Sequence, residues 1–82
     1  MQLNNLNLNM LKCFQAVASN GSLQAGAKSL SLTTSAVYQS VKKLEEELDQ
    51  HLFFRTGNRY ILTDAGRSLQ ELFQRFLWDF SQ

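Results

Sequence analysis

Apolar residues recur every three or four positions along most of the chain, and the interruptions mark its turns. Leu11, Phe14, Val17 and Ala18 fall at i, i+3, i+6 and i+7, one face of a helix starting near Leu8. Asn7 or Asn9 supplies its cap, and Asn20-Gly21 stops it, because both residues tolerate left-handed backbone angles. Ser22 caps a short second helix, Leu23 to Leu30, slimmed by Ala25, Gly26 and Ala27. A helical glycine costs about 0.5–1 kcal/mol against alanine, so Gly26 calls for a close packing partner. Ser31-Leu32-Thr33 reads as a tight turn, and Thr33 as the N-cap of a third helix from Thr34 to about Asp49. Val37, Val41, Leu44 and Leu48 share about one third of that helix's circumference. Ser35, Tyr38, Gln39 and Lys42 lie opposite them.

Beyond the third helix the period changes. Leu52-Phe53-Phe54-Arg55 and Arg59-Tyr60-Ile61-Leu62 flank Thr56-Gly57-Asn58, the pattern of a β-hairpin. Two strands are marginal by themselves, so the hairpin must lean on the helices. Thr63 caps a fourth helix, Asp64 to about Phe80, with Asp64 at its positive end. Leu62, Ala65, Leu69, Leu72 and Phe76 form one apolar stripe, with Phe73, Leu77 and Phe80 beside it. That is more apolar surface than one small core absorbs, so this helix is expected to pair with a second copy.

Composition narrows the class. Eighty-two residues make one small domain with no room for a spacious enzyme cleft. The apolar fraction of 44% is that of a folded protein. Cys13 is the single cysteine, which excludes a disulfide framework; its plain reading is a small buried thiol. No apolar run approaches the ~20 residues of a membrane span, and Met1-Gln2-Leu3-Asn4-Asn5 lacks the basic start of a signal peptide. A reducing cytoplasm is the expected location. Net charge is +1, too balanced to announce a nucleic-acid partner, but its distribution is uneven. Lys42 and Lys43 precede Glu45, Glu46, Glu47 and Asp49, which polarises the third helix along its length.

Catalytic chemistry finds little support. His51 is the single histidine and has no nucleophile with a supporting elbow; it reads as a loop residue. The three consecutive glutamates point in different directions on a helix and suit no metal. Neither enzyme activity, cofactor nor metal is expected. What remains is a binding arrangement: two helices joined by a three-residue turn, the second with a polar outer face. The second helix of such a motif lies in the DNA major groove, where Ser, Thr and Gln side chains suit base edges and phosphates. A hairpin carrying arginines suits the backbone or minor groove.

The residues also carry a family resemblance. Leu11-x-x-Phe14, Ala18-Ser19-Asn20-Gly21-Ser22-Leu23, Ala27-x-x-Leu30, Ser35-Ala36-Val37, Val41-Lys42-Lys43-Leu44-Glu45-Glu46-Glu47-Leu48, Leu52-Phe53-x-Arg55 and Leu62-Thr63-x-Ala65-Gly66 together resemble the N-terminal domain of LysR-type transcriptional regulators. The resemblance covers about residues 8–66. It implies a mainly α fold: a winged helix-turn-helix of three helices plus a β-hairpin wing, then a long linker helix that pairs two subunits. The expected division is a polar leader over 1–7 and a DNA-binding domain over 8–63, then a linker and dimerisation helix over 64–82. Within the domain the helix-turn-helix spans about 23–42 and the wing about 52–62.

The resemblance implies contact with double-stranded DNA, in the form of a palindromic operator, by Ser22, Thr33, Thr34, Ser35, Tyr38, Gln39, Lys42 and Lys43, and by Arg55, Asn58 and Arg59 of the wing. It implies a homodimer through Leu69, Leu72, Phe73, Phe76, Leu77 and Phe80. Thr34, Tyr38 and Gln39 depart from the family's commoner Gln, Ser or Thr, and Arg, which puts the usual base preference in doubt. Asp49 stands where Gly is usual, so the third helix is expected to end without its left-handed glycine. The family's effector-sensing domain is absent from these 82 residues, so no small-molecule effector is expected to bind this chain. A piece of a longer regulator is the expectation. The alternative is a short LysR-like interaction protein that pairs with a full-length regulator and modulates it.

Overall fold

Side-chain oxygens set the start of every helix. Asn7 Oδ1 accepts from the Met10 N–H (2.9 Å) and opens α1, Leu8–Asn20. Ser22 Oγ accepts from the Ala25 N–H (3.1 Å) and opens α2, Leu23–Leu30. Thr33 Oγ1 accepts from the Ala36 N–H (3.1 Å) and opens α3, Thr34–Leu48. Thr63 Oγ1 accepts from the Gly66 N–H (3.0 Å) and opens α4, Asp64–Ser81. Between α3 and α4 the strands β1, Phe53–Thr56, and β2, Arg59–Leu62, pair antiparallel around Gly57-Asn58. The structure is a computed structural model that describes the backbone of residues 7–81 and the side chains of residues 7–75. Residues 1–6, expected to be a polar leader, lie outside the described residues.

The helix ends differ in chemistry but not in backbone. Gly21 closes α1 at φ 78°, where glycine carries no Cβ penalty. Ser31 closes α2 at φ 57° and Asp49 closes α3 at φ 54°. The missing glycine at position 49 therefore does not remove the left-handed cap; an aspartate adopts it. The reason is hydrogen bonding: the Asp49 N–H donates to the Glu46 carbonyl (3.2 Å) and the Gln50 N–H to the Glu45 carbonyl (3.1 Å). These bonds satisfy carbonyls that the helix end leaves open.

The core lies where α1, α2 and α3 meet. Phe14, Val17, Val37 and Leu44 are fully buried, and Leu52 and Phe53 bring the hairpin's base onto them. The Phe14 and Phe53 rings sit 5.4 Å apart at 45°. Gly26 has the packing reason its position demanded. A Cβ there would lie 3.1 Å from the Val17 backbone nitrogen, so α2 crosses α1 at backbone contact. Cys13 is buried in the same cluster.

α4 is joined to this body through one short segment. The Thr63 N–H donates to the Leu52 carbonyl (3.0 Å), and the Thr63 hydroxyl to the His51 carbonyl (2.6 Å). Gly66 fits directly against the Leu52 carbonyl, where any side chain would overlap it. The apolar positions of α4 do not form a uniform free face. Phe73 is only 6% exposed and Leu69 is half-buried against the core, whereas Leu72 is 65% exposed. Phe73, read from the sequence as an interface residue, is thus covered by its own chain. The helix phase turns positions 65, 69 and 73 inward, one every turn. Phe76, Leu77 and Phe80 lie outside the residues whose side chains are described.

Candidate nucleic-acid interface

The first turn of α3 is the most uncovered part of any helix in the body. Thr33, Thr34, Ser35 and Ala36 are all exposed, followed by exposed Tyr38, Gln39, Lys42 and Lys43. The cause is the helix's phase. Val37, Val41 and Leu44 take the buried stripe, so the other positions from 33 to 43 face outward, except half-buried Ser40. The Thr33 hydroxyl oxygen is already engaged as the N-cap acceptor. Its proton, like the Ser35 hydroxyl, stays available to an acceptor such as a base edge or phosphate. Ser22 has the same double character. Half-buried as the α2 cap, it accepts from Ala25 and keeps a donor.

Two of the hollows that border α3 share Tyr38 and Lys42. One is lined by Tyr38, Lys42 and Glu45 of α3, Leu23 at the start of α2, His51, and Phe53, Arg55 and Tyr60 of the hairpin. The other is lined by Ala36, Tyr38, Gln39, Ser40, Lys42, Lys43 and Glu46. Tyr38 and Lys42 sit on the ridge between them and belong to both. Glu45 is tied down, since its Oε2 accepts from the Leu52 N–H (2.7 Å). That bond fixes one carboxylate of the acidic block as part of the α3–hairpin joint.

The hairpin splits its two arginines. Its register pairs Arg55 with Tyr60 and Thr56 with Arg59. Strand residues alternate faces, so Arg55 lies on the face that carries buried Phe53, and Arg59 on the opposite face with exposed Phe54 and Ile61. The sequence grouped Arg55, Asn58 and Arg59 together as one wing. In the fold, Arg55 joins Tyr38 and Lys42 at the α3 cleft, while Asn58 occupies the turn and Arg59 the far face. The Arg55 guanidinium carbon lies 5.5 Å from the centre of the Tyr60 ring.

Two residues at this surface were not singled out from sequence. Ala36 is exposed beside Tyr38 and Gln39; a methyl on a recognition surface suits a thymine methyl, but alanine gives no signal in a pattern read for polar groups. From sequence Tyr60 reads as a strand residue. Its place opposite Arg55 follows once the turn is set at Gly57-Asn58.

A recognition-type helix with an exposed polar first turn, a supporting helix packed across it and a hairpin beside it define a winged helix-turn-helix. Residues 8–67 match the family described as bacterial regulatory helix-turn-helix protein, lysR family, and the chain belongs to that family. It is 42% identical over 76 residues to the HTH-type transcriptional regulator PtxR of Pseudomonas aeruginosa, a match covering 93% of this chain and 24% of PtxR. It is 45% identical over 62 residues to the HTH-type transcriptional regulator YxjO of Bacillus subtilis, covering 76% of this chain and 21% of YxjO. The chain thus spans about a quarter of the length of these curated relatives. Among solved structures it resembles the CbnR DBD–DNA complex, with a TM-score of 0.85 and 30% identity, covering 93% of this chain and 87% of that one. Among the described residues no helix is long and apolar enough to cross a membrane.

Proposed function

We propose that this chain binds double-stranded DNA sequence-specifically, as the DNA-binding part of a bacterial LysR-type transcriptional regulator. The observation that carries this is the exposed first turn of α3. Three hydroxyl side chains and a methyl stand clear of the body there, with Tyr38, Gln39, Lys42 and Lys43 on the following turns. In this reading α3 enters the major groove, and Thr33, Thr34, Ser35, Tyr38 and Gln39 address base edges and nearby phosphates. Lys42, Lys43 and Ser22 meet the backbone, which positions the protein without reading sequence. Arg55, Asn58 and Arg59 extend the contact along the backbone or minor groove. The role is binding rather than catalysis, it needs no cofactor, and a regulator of bacterial DNA works in the cytoplasm. The chain itself binds no small-molecule effector in this reading.

The DNA partner is a palindromic operator bound by a homodimer. Leu72 and Leu8 are 65% and 53% exposed beside Leu11, Leu69 and Phe73, which together line an apolar groove between α4 and α1. Burying a large apolar side chain is worth ~1.5–3 kcal/mol, against several kcal/mol of lost freedom on association. Leu69, Leu72, Phe76, Leu77 and Phe80 are the α4 residues that would meet the second copy. Pairing on a two-fold axis sets two α3 helices for paired half-sites.

The test is selection of binding sites from random duplex DNA by the 82-residue chain, followed by sedimentation equilibrium with and without the selected duplex. A two-fold symmetric motif and a dimer at micromolar concentration are expected. Absence of any enriched sequence, with the chain still folded, defeats the DNA reading and favours the short interaction protein that modulates a full-length regulator. A dimer surviving in a Leu72→Asp, Phe76→Asp variant moves the interface away from α4.

A further inference from the structure

We propose that Tyr60 is a positioning residue for DNA binding: its ring holds the Arg55 guanidinium at the mouth of the α3–hairpin cleft, so that Arg55 and Lys42 meet the same stretch of phosphate backbone. The inference rests on the DNA reading above and adds a residue that contacts no DNA in that reading.

A chain of rings runs from the core to the cation. Phe14, fully buried, packs on Phe53 at 5.4 Å, and Phe53 meets Tyr60 edge-on at 5.6 Å and 72°. Arg55 lies 5.5 Å above the Tyr60 ring centre, within cation–π distance. Each link is held from outside the pair. Tyr60 is fixed along its strand by its N–H, which donates to the Gly21 carbonyl (2.9 Å) in the turn between α1 and α2. Arg55 is opposite Tyr60 in the hairpin register, which sets both side chains on one face. The guanidinium therefore takes its position from the hydrophobic core, through two aromatic rings, rather than from its own long stem.

This matters because Arg55 is otherwise an exposed side chain with many rotamers. Ordering a long cation at the moment of binding costs affinity; a cation already held over a ring has given up part of that freedom beforehand. The same cleft carries Lys42 from α3, and Leu23 marks the start of α2, whose end holds the Ser22 hydroxyl. An anion at the cleft mouth would have one cation from the recognition helix and one from the wing among its neighbours, and the Glu45 carboxylate that shares the cleft is bonded to the Leu52 N–H. A backbone phosphate is the anion that duplex DNA presents beside a helix seated in its groove. Arg59, on the other face of the hairpin, has no such ring opposite it: its partner in the register is Thr56.

The experiment measures affinity of the 82-residue chain for the duplex it selects, by fluorescence anisotropy across a salt series, for wild type, Tyr60→Phe, Tyr60→Leu, Arg55→Ala and the Arg55→Ala, Tyr60→Leu pair. Tyr60→Phe keeps the ring and should bind like wild type. Tyr60→Leu keeps an apolar side chain and loses the ring, and should bind about two- to fivefold more weakly per protomer. In the Arg55→Ala background, Tyr60→Leu should add nothing, and Arg55→Ala should flatten the log-affinity against log-salt slope by about 0.9 per protomer. Should Tyr60→Leu fail to fold by circular dichroism, Tyr60→Ile, better suited to a strand, takes its place. Equal affinity for the ring-less variant and wild type overturns the inference, as does an additive loss in the double variant. Wild type that binds no duplex at all overturns the DNA reading instead, so the two failures are distinct.

Discussion

α3 and α4 are the two longest helices, 15 and 18 residues, and they use their apolar residues in opposite ways. In α3 the stripe is consumed: Val37, Val41 and Leu44 are at most 4% exposed, and what remains outside is mostly polar or charged, namely hydroxyls, an amide, two lysines and Glu46, with the Ala36 methyl among them. In α4 the stripe is divided. Leu69 and Phe73 turn onto the body, while Leu72 stays 65% exposed next to Leu8 and Leu11. The first helix therefore presents a surface for a polar, charged partner and the second a surface for an apolar one. Both are amphipathic, so amphipathicity alone does not tell which face is the working one. The difference lies in how many elements surround each helix. α3 is packed by α1, α2 and the hairpin's base, whereas α4 meets the rest of the chain along one side, at Ala65, Leu69 and Phe73.

Substituting the buried and the exposed leucine breaks this comparison most strongly. Leu44→Ala should destabilise the fold by ~2–5 kcal/mol, a large share of a small domain's stability. Leu72→Ala should leave the monomer's urea midpoint nearly unchanged, within about 0.5 kcal/mol, yet weaken self-association about tenfold or more. Urea unfolding and sedimentation equilibrium on both variants separate the two effects. If Leu72→Ala unfolds the chain as readily as Leu44→Ala, α4 is part of the body and the contrast fails.

Gly66→Ala tests the joint between the two regions. Its methyl would overlap the Leu52 carbonyl, which already accepts from the Thr63 N–H. The Leu52 backbone on one side and the Leu62 side chain on the other leave little room to adjust, so a loss of ~1–3 kcal/mol is expected in denaturant titrations. A neutral result would mean that α4 can shift against the body.

Lys42→Ala sharpens the polar side of the comparison. Lys42 lines the hollows on both sides of Tyr38, one turn beyond it, where a long cation reaches phosphate more readily than a base. Affinity for all DNA sequences should fall together, and the salt slope by about 0.9 per subunit. A loss confined to one operator would make Lys42 a base reader.

The smallest effect is a gain. Asp49→Gly should stabilise the chain by ~0.5–1 kcal/mol, because glycine takes the left-handed cap at φ 54° without a Cβ penalty. Thermal unfolding of the variant measures it. Unchanged stability would mean that aspartate compensates the backbone cost by hydrogen bonding locally.

Most of the fold was legible because its signals are local. The Ser22, Thr33 and Thr63 caps stand at fixed offsets from the N–H groups they satisfy, and each makes the bond its position implies; of the two candidates for α1, Asn7 rather than Asn9 makes it. The buried stripe of α3 follows from a 3.6-residue period. The exposed candidates Thr34, Ser35, Tyr38, Gln39, Lys42 and Lys43 follow from the same period by subtraction. What was illegible depends on which neighbour arrives from elsewhere in the chain. Apolar positions alone do not tell that Phe73 is covered and Leu72 is not, since both lie on apolar stripes; which stripe faces Leu8 and Leu11 depends on how α4 docks. The residue at position 49 names no backbone angle; the carbonyls of Glu45 and Glu46 draw it into the left-handed region. Arg55 and Arg59 look equivalent along the chain, yet the hairpin's alternation and its docking on Phe14 send them to opposite faces. Sequence determined where each element begins and which of its sides is apolar, because those are short-range matters of period and capping. Tertiary structure alone decided which apolar side stays uncovered and which cation is held in place, because contacts between distant segments set both.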